Sequence, residues 1–445
     1  MFSRVLIANR GEIALRILRA CKELGIQTIC VFSEEDREAP YLRLADRTVC
    51  IGPGPAGESY LKIDRIIAAA EVANVDAIHP GYGFLAENAQ FADACRDSKI
   101  EFIGPDAQSM RLLGDKIAAK KLARKSKVPT IPWTEGAIED DGDAIRWAAE
   151  VGYPVMVKAA AGGGGRGIRL VHNEATLRHS LLAARTEAQA AFKSADIYLE
   201  KAIEAARHVE VQIMGDRAGN VLHFGERDCS LQRRHQKLIE ESPSPGLNSR
   251  TREELCKAAV RLARAASYHS AGTVEFLVDK RGRFYFLEMN TRIQVEHPVT
   301  EMVTGYDLLK WQLRAAAGET FSMRQRDIQP QGSAIECRIN AEDPAHNFRP
   351  SPGLITQFYP PGGPGVRLDT CAYAGLNISP RYDSLIAKLI VHRPTRAEAI
   401  TCMQRCLEEF IIEPVKTTIP LFREIFTHTR FLKGDIDTGF IERTW

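Results

Sequence analysis

The chain has 445 residues, enough for about three domains at ~150 residues each. Its 59 lysines and arginines nearly balance its 57 aspartates and glutamates, so the formal net charge of +2 does not favour nucleic acid or an anionic membrane as a partner. The ten cysteines are scattered without a C-x-x-C pair, a pattern typical of reduced, structural thiols in a cytosolic protein.

Residues 1 to about 115 alternate between short β-branched runs and helical stretches. The strand-like runs are RVLIAN, QTICVF, RTVCIG, DAIHPG and EFIGP, and GEIALRILRACKELG shows clear helical spacing between them. Strand followed by helix, repeated, predicts a parallel sheet wrapped by helices. Because the chain starts directly with a strand and no apolar run approaches ~20 residues, we expect neither a signal peptide nor a membrane-spanning helix.

Two glycine motifs match nucleotide-binding fingerprints only superficially. GPGPAG at 52–57 fits G-x-G-x-x-G, but Pro53 and Pro55 lack the N–H donors that a pyrophosphate needs. We therefore predict a turn there, with a helix beginning at about Tyr60. The glycine run at 162–167 continues into Ile168 and Arg169 and so fails the Walker A pattern.

That second glycine run belongs to a smaller unit, residues 133–203. The strands YPVMVKA, GIRLVH and DIYLEKA and a helix from about Glu174 to Lys193 predict a small α+β module. The glycines lie between two strands, so we expect a hairpin-like loop that folds over phosphates. Lys158, at the end of the first strand, needs an anionic partner. The alternative is a purely structural hairpin tip.

From residue 204 strands dominate, and the hairpin TVEFLVDKRGRFYFLEMNTRIQVEH is the most informative stretch. Glu288, Asn290 and Arg292 alternate along one strand and share a face if the strand persists. Glu275 lies on the preceding strand, so three hard oxygen ligands suited to Mg²⁺ come together. The alternative is a solvated polar face balanced by Arg292. Glu296 is either a general base or an ion-pair partner of Arg292, and the spacing leaves both open.

The segment ERDCSLQRRHQKLIEESP carries five basic residues, Arg227, Arg233, Arg234, His235 and Lys237. By itself this pattern favours a basic surface loop or a nucleic-acid patch, although the lack of interleaved aromatic residues weakens the second interpretation. A cluster facing small anions stays open. His208, in RHVEV, is by itself an ordinary strand histidine. The remainder, from about 332, mixes strands (SAIECRINAED, LIAKLIVHR) with a late helix, RAEAITCMQRCLEEF.

Together these motifs resemble the ATP-grasp ligases, and within them the biotin carboxylases. The matching segments run from residue 4 to beyond 340: IANRGEIALRI, HPGYGFLAEN, IGP followed by GDK, YPVMVKAAAGGGGRG, RHVEVQ, ERDCSLQRRHQK, FLEMNTRIQVEHPVTE and ECRINAEDP. The resemblance implies an α/β chain with an ATP-grasp fold. Its parts would be an N-terminal parallel-sheet (Rossmann-like) domain at 1–115, an ATP-grasp region at 116–330 with a small mobile α+β lid at 133–203, and a mixed C-terminal α+β domain at 331–445.

The resemblance also implies the roles of individual residues. The ATP site would comprise Lys116, Lys158, Gly162, Gly163, Gly164, Gly165, Gly167, Glu200, Lys201, Ala202, Ile203, His208, Gln232, His235, Glu275 and Glu288. In this set the two lysines would hold phosphates, residues 200–203 would meet the adenine, and His208 would line the nucleotide site. Mg²⁺ (or Mn²⁺) would be carried by Glu275, Glu288 and Asn290. Bicarbonate would be bound by Lys237, Arg292, Gln294 and the backbone of Val295. Glu296 would deprotonate bicarbonate, and Arg338 would face the biotin ureido oxygen.

The implied activity is ATP- and Mg²⁺-dependent carboxylation of biotin through carboxyphosphate, the first half-reaction of acetyl-CoA carboxylase in fatty acid synthesis. None of the eight methionines precedes a lysine, so we expect biotin on a separate biotin carboxyl carrier protein. Carboxyltransferase subunits, a homodimer and a cytoplasmic location are further expectations, with no nucleic acid or membrane partner. The alternatives are an ammonia-using ATP-grasp ligase, as in carbamoyl phosphate synthesis, and a nucleotide-sensing or nucleic-acid-binding module that uses residues 233–237.

Overall fold

The fold is that of a computed structural model, which describes residues 1–160, 168–192 and 194–445. The predicted glycine loop, residues 162–167, lies outside the described residues. Within the described ranges, no helix combines the length and apolar character needed to cross a bilayer.

The N-terminal part is a five-stranded parallel sheet with the strand order β3-β2-β1-β4-β5, as its strand–helix alternation predicts. Val5, Leu6 and Ile7 of the central strand are completely buried, because helices cover both faces of the sheet. The elements are β1 (Arg4–Ile7), α1 (Gly11–Glu23), β2 (Gln27–Phe32), β3 (Arg47–Cys50), α2 (Ile63–Ala73), β4 (Ala77–His79), α3 (Ala89–Asp97), β5 (Glu101–Phe102), α4 (Ala107–Gly114) and α5 (Lys116–Lys125).

The next unit is a three-stranded antiparallel sheet, β7-β6-β8, with two helices packed on it. Its elements are α6 (Asp141–Val151), β6 (Val155–Ala159), β7 (Ile168–Val171), α7 (Glu174–Phe192) and β8 (Ile197–Lys201). Strands β6 and β7 pair through Lys158 and Ile168. The two strands predicted on either side of the glycine run are therefore hairpin partners.

An antiparallel eight-stranded sheet, in the order β13-β12-β9-β10-β11-β14-β21-β19, carries most of the site residues. Its first part comprises β9 (Arg207–Gly215), β10 (Val221–Arg233), β11 (Gln236–Ser242), α8 (Ser249–Ala265), β12 (Ser270–Val278), β13 (Phe284–Asn290), α9 (His297–Thr304) and α10 (Leu308–Ala316). Along β9, Val209, Val211 and Ile213 pack into one core with the apolar side of α8. The alternate residues therefore point to the opposite face.

The C-terminal part completes this sheet and adds a second core of buried aliphatic and aromatic side chains. Cys402 and Cys406 lie in that core, so their one-turn spacing reflects a buried helix stripe. The elements are β14 (Ser333–Asn340), β15 (Glu342–Asp343), β16 (Arg349–Pro350), β17 (Gly353–Leu354), β18 (Gln357–Tyr359), β19 (Val366–Thr370), β20 (Asn377–Ile378), β21 (Leu385–Arg393), α11 (Arg396–Glu409), β22 (Ile411–Glu413), α12 (Ile419–Ile425), α13 (Thr429–Leu432) and α14 (Phe440–Thr444).

The basic segment at 227–237 is not a surface loop, and that interpretation of the sequence is wrong. Strands β10 and β11 run through it and are joined by a two-residue turn at Arg234 and His235, with Arg233 paired to Gln236. Both turn residues have positive φ, 48° and 64°, as the tight hairpin turns that match strand twist require. Because the segment is a hairpin, its side chains alternate between the two faces of the sheet, and Arg227 is completely buried.

Candidate functional site

A row of charged side chains crosses four neighbouring strands on the face of the large sheet opposite α8. Arg227 of β10 pairs in register with Glu210 of β9, Glu210 with Glu275 of β12, and Glu275 with Glu288 of β13. Side chains directly opposite one another on antiparallel strands are about 4.5–5.5 Å apart at Cβ, so three neighbouring carboxylates repel one another unless cations lie among them. This row is the electrostatic basis of the site.

Lys237, on β11, supplies the central positive charge. Its Nζ donates to Glu210 Oε2 at 2.5 Å, to Glu296 Oε1 at 2.7 Å and to Glu275 Oε1 at 3.0 Å. Burial by itself would lower the pKa of Lys237, but the three carboxylates raise it well above its ordinary value. The ammonium therefore stays charged at neutral pH.

Glu296 lies just before α9 and is completely buried. Besides Lys237 it has a second cation, because Arg338 Nη2 donates to its Oε2 at 2.9 Å. Burial would raise the pKa of Glu296, but the charges of Lys237, Arg338 and Arg227 lower it well below its ordinary value. The group is therefore a carboxylate at neutral pH. Its ion pairs are with Lys237 and Arg338 rather than with Arg292, the partner that the spacing left open.

Arg338, on β14, is held from beneath by a second buried carboxylate. Its Nε donates to Oε1 of Glu240, on the neighbouring strand β11, at 2.6 Å. Burial raises the pKa of Glu240 to about 7, although the guanidinium of Arg338 opposes this. Two carboxylates thus fix the guanidinium on its Nε and Nη2 atoms. Such charge-assisted bonds orient a planar group strongly.

The three predicted metal ligands lie together at the far end of the charged row. Glu275 and Glu288 are cross-strand neighbours, and Asn290 Nδ2 donates to Glu275 Oε1 at 2.6 Å. Burial and then the charge of Glu275 raise the pKa of Glu288, so the charge of Glu288 is not fully compensated, although Lys237 and His208 pair with Glu275. A divalent cation would relieve that repulsion, and two carboxylates with an amide oxygen are ligands that Mg²⁺ accepts. The residues present therefore fit Mg²⁺.

Glu275 is also tied to the residues predicted to line the nucleotide. His208 Nε2 lies 2.8 Å from Glu275 Oε2, and Gln232 Nε2 lies 3.3 Å from His208 Nδ1. Burial would lower the pKa of His208, but the Glu275 carboxylate raises it. The structure thus brings His208 and Gln232 into the site, whereas His235 is in the exposed hairpin turn.

The predicted bicarbonate residues follow β13 directly. The strand ends at Asn290, so Arg292 is not on it, but Arg292 Nη2 still lies 3.4 Å from Asn290 Oδ1. Arg292 Nη1 donates to Gln294 Oε1 at 2.8 Å. The Val295 carbonyl accepts a hydrogen bond from Lys388 Nζ at 3.0 Å. An anion needs a hydrogen-bond donor, so the group that the Val295 backbone could offer it is the N–H.

The predicted phosphate-binding lysines lie at the edge of the small unit. Glu200, on β8, is buried, with one carboxylate oxygen 3.1 Å from Lys158 Nζ and the other 3.0 Å from Lys120 Nζ. Burial lowers the pKa of Lys116, which lies at the start of α5. The Glu200 side chain thus serves as the counter-ion of two lysines, and any contact with an adenine would have to come from its backbone.

The side chain of Lys201, which was also assigned to the adenine, is likewise occupied by contacts within the protein. The Lys201 side chain donates to the carbonyls of Gly152 and Tyr153 at 2.8 and 3.0 Å. The Lys201 and Ala202 N–H groups donate to Pro132 and Pro154 at 2.9 and 3.1 Å. Residues 200–203 could therefore contact an adenine ring through their backbone carbonyls and through the N–H of Ile203.

Five charged residues of the site have no sequence-based assignment: Lys120, Glu210, Arg227, Glu240 and Glu87. A signal existed for Glu210, because polar His208, Glu210 and Gln212 alternate with Val209 and Val211 along RHVEVQI. That alternation resembles an ordinary half-exposed strand, and only the tertiary structure shows that both faces are buried. Arg227 carried no signal of its own, since it stood in a basic cluster.

Three family descriptions match the chain in succession. They are "Biotin carboxylase, N-terminal domain" at residues 1–110, "Carbamoyl-phosphate synthase L chain, ATP binding domain" at 115–324 and "Biotin carboxylase C-terminal domain" at 336–443. Among curated relatives, a biotin carboxylase of Nostoc is 56% identical over 441 residues, which is 99% of each chain.

Solved structures agree over the whole length. A biotin carboxylase–βγ-ATP complex from Campylobacter jejuni has a TM-score of 0.97 and 48% identity, and the alignment covers 100% of this chain and 99% of that one. The biotin carboxylase domain dimer of the Hydrogenobacter thermophilus 2-oxoglutarate carboxylase, in complex with MgADP, ADP and bicarbonate, has a TM-score of 0.97 and 50% identity. Its alignment covers 100% of this chain and 98% of that domain. Because both alignments cover the whole chain, the chain has the ATP-grasp architecture of these structures.

Proposed function

Because the chain belongs to the biotin carboxylase family of ATP-grasp enzymes, we propose that it performs the first half-reaction of an acetyl-CoA carboxylase. It is an ATP-dependent ligase that carboxylates biotin. The observation that carries the detailed proposal is Glu296, a buried carboxylate held between Lys237 and Arg338 beside the oxygen ligands Glu275 and Glu288. A base, an anion site and a metal site adjoin one another there.

The first chemical step is attack of a bicarbonate oxygen on the γ-phosphate of ATP, which breaks the bond from that phosphate to ADP, the leaving group. Bicarbonate is a poor nucleophile, so Glu296 takes its proton as the attack proceeds. Arg292, with its planar fork of N–H donors, and Lys237 hold the anion and offset its charge. Glu275, Glu288 and Asn290 would hold Mg²⁺, which would supply charge neutralisation for the phosphate oxygens. Lys116 and Lys158 hold the phosphates, with Glu200 as the buried counter-ion that fixes Lys158.

The product carboxyphosphate reacts readily with water and must be kept from it. The glycine run at 162–167 is the segment that we assign to closure over the site. The C–O bond of carboxyphosphate breaks to give CO₂ and a phosphate, the phosphate removes the proton from biotin N1′, and N1′ then bonds to the carbon of CO₂. Arg338 then stabilises the enolate-like ureido oxygen, and a charge-assisted bond of this kind is worth ~1.5–3 kcal/mol.

The partners and the location are further parts of the proposal. We propose a separate biotin carboxyl carrier protein as the biotin donor, carboxyltransferase subunits as the next enzyme, a homodimer as the assembly and the cytoplasm as the location. The described dimer of the Hydrogenobacter domain supports a dimer here. We assign residues 1–115, 116–330 and 331–445 to the three domains.

An ADP-release assay tests the activity. We expect ADP formation that requires both bicarbonate and biotin. A parallel reaction with ammonia in place of biotin tests for carbamoyl phosphate synthesis. This control is needed because residues 115–324 match the ATP-binding domain of the carbamoyl-phosphate synthase L chain. ATP hydrolysis indifferent to bicarbonate and biotin, or dependent on ammonia, would contradict the proposal.

The acyl acceptor needs a reconstituted system. The chain is mixed with its carrier protein and carboxyltransferase subunits, and carboxylation of acetyl-CoA, pyruvate and 2-oxoglutarate is compared. Malonyl-CoA as the dominant product supports acetyl-CoA carboxylase. Carboxylated 2-oxo acid as the main product would assign the chain to another biotin-dependent carboxylase.

Glu288→Gln should separate metal binding from stability. The substitution removes a metal ligand, so we expect the Mg²⁺ concentration for half-maximal turnover to rise about tenfold or more. It also removes the repulsion between Glu288 and Glu275, so the metal-free protein should not lose thermal stability. Titration of turnover with Mg²⁺ and thermal unfolding in EDTA measure the two effects.

Glu226→Gln is the matched control. Glu226 is also a buried carboxylate, but its partner is Arg252, with Nε 2.6 Å from its Oε1. This variant should lower the thermal midpoint and leave the Mg²⁺ requirement unchanged. An unchanged Mg²⁺ requirement in Glu288→Gln would remove Glu288 from the ligand set.

A further inference from the structure

A loop of the N-terminal domain, residues 80–87, reaches across to the residues that follow β13. Glu87, at its end, accepts a hydrogen bond from Arg292 Nε through Oε2 at 2.9 Å. Its Oε1 accepts from the Thr291 backbone N–H at 2.9 Å. The two carboxylate oxygens of Glu87 thus accept hydrogen bonds from consecutive residues of another domain, Thr291 and Arg292, directly after β13.

This loop is built to hold one shape. Asn9 Nδ2 donates to the carbonyls of Pro80 and Tyr82 at 2.7 and 2.8 Å, which pins the first half of the loop. Phe84 stacks on Tyr60 with ring centroids 5.0 Å apart, which pins the second half. Since both halves are anchored in the N-terminal core, the loop end presents its carboxylate from a fixed base.

The contact to Nε decides where the rest of the Arg292 guanidinium points. A guanidinium is planar, so fixing Nε and the plane fixes the edge formed by the two Nη groups. One of these groups meets Gln294 Oε1 at 2.8 Å and the other lies 3.4 Å from Asn290 Oδ1. The Nη edge therefore faces the predicted anion-binding and metal-binding residues, while the Nε edge faces Glu87.

The charge of Glu87 also belongs to this arrangement. Burial by itself would lower the pKa of Arg292, but the Glu87 carboxylate raises it. Arg292 is 20% exposed and Glu87 40% exposed, so solvent screens the pair in part. The two hydrogen bonds, from Arg292 Nε and from the Thr291 N–H to separate oxygens of Glu87, therefore orient Arg292 more than the charge of Glu87 does.

We propose that Glu87 is a positioning residue for the carboxylation reaction, holding Arg292 so that its Nη edge meets bicarbonate. The proposal rests on the proposed function, in which Arg292 binds that anion. Glu87 does not touch the substrate. It acts through Arg292 and Thr291, and it makes the N-terminal domain part of the bicarbonate site.

Glu87→Gln tests this directly. Glutamine has the same shape but only one acceptor oxygen, so it cannot accept from both Arg292 Nε and the Thr291 N–H. The loss of one hydrogen bond to a charged group typically changes an equilibrium constant by about tenfold to hundredfold. We therefore expect the KM for bicarbonate to rise by that factor, with the KM for ATP changed less than about twofold. Glu87→Asp, which keeps the charge and both oxygens, should recover part of the loss.

Glu101→Gln is the matched control. Glu101 belongs to the same N-terminal domain and pairs with Arg217, which follows β9, away from the site. Its loss should leave the KM for bicarbonate unchanged. If that KM rises equally in both variants, a general loosening of the domain contact explains it and the proposal is overturned.

A double-mutant cycle with Arg292→Ala completes the test. If Glu87 acts through Arg292, Glu87→Gln should have little further effect on the bicarbonate dependence of turnover once Arg292 is removed. An effect of full size in that background overturns the proposal. The wild-type assay is independent of this result: wild-type protein without bicarbonate- and biotin-dependent ADP release refutes the function, whereas active wild type with an unchanged bicarbonate KM in Glu87→Gln and Glu87→Asp refutes only the role of Glu87.

Discussion

Glu296→Gln is expected to lower bicarbonate- and biotin-dependent turnover by about 10²–10⁴-fold, the usual contribution of a positioned general base. Glutamine keeps the shape of the side chain but cannot accept the proton. ATP binding should persist, because the ATP contacts assigned to Lys116 and Lys158 lie in a different part of the chain. The measurements are steady-state ADP release for turnover and isothermal titration with a non-hydrolysable nucleotide for binding.

The control must also lose a buried ion pair. Glu241 is buried on β11, next to Glu240, and its two oxygens accept from Arg396 at 2.6 and 3.0 Å. Glu241→Gln should destabilise the protein without changing the chemical step. Near-normal turnover in Glu296→Gln, or an equal loss in both variants, would refute Glu296 as the base.

The environment of Glu296 also bears on how it works as a base. Its pKa is lowered, despite burial, by Lys237, Arg338 and Arg227, so the carboxylate is already ionised at neutral pH. A carboxylate whose pKa is lowered in this way is a weak proton acceptor. We expect its basicity to rise when bicarbonate and biotin share the charges of Lys237 and Arg338, which couples proton removal to the presence of the substrates.

Local pattern was sufficient to predict much of the fold and the placement of Glu275 beside Glu288. The repeated strand–helix alternation before residue 115 corresponds to the parallel sheet. The short KRG turn between two apolar runs placed Glu275 and Glu288 on neighbouring strands, and the structure pairs them directly. The hairpin depends on contacts close in sequence, where side-chain periodicity and turn length fix the geometry. The parallel sheet joins strands distant in sequence, but the regular alternation of strands and helices predicts it.

The remaining site residues depend on contacts distant in sequence. Arg227 meets Thr273 and Thr300, which lie 46 and 73 positions away. No local pattern distinguishes such an arginine from the surface arginines around it. Glu87 is 205 positions from Arg292 and belongs to another domain. The resemblance to a family assigned roles to Arg292 and Glu296, but the residues that hold them in place become visible only in three dimensions.

Arg227→Met is expected to reduce the free energy of unfolding by about 3–5 kcal/mol, the typical result of removing one partner of a buried ion pair. The Arg227 side chain is completely buried, and its Nε lies 2.6 Å from Oε1 of Glu210, which is also completely buried. Its Nη groups donate to Gln212, Thr273 and Thr300 at 2.8 to 3.1 Å. Methionine fills similar space but leaves the Glu210 charge with Lys237 as its remaining cation and three polar groups without their donor.

Urea denaturation followed by circular dichroism gives the free energy, and Arg250→Met, at a side chain 88% exposed, is the control with an expected change below about 1 kcal/mol. Adding Glu210→Gln to Arg227→Met should restore part of the stability, because it removes a buried charge that the first substitution leaves with Lys237 as its remaining cation. Turnover should stay low in that double variant, since Lys237 then lacks one of the three carboxylates that fix it. A loss below 1 kcal/mol in Arg227→Met, or a further loss on adding Glu210→Gln, would mean that the charged row is not held together by its buried arginine.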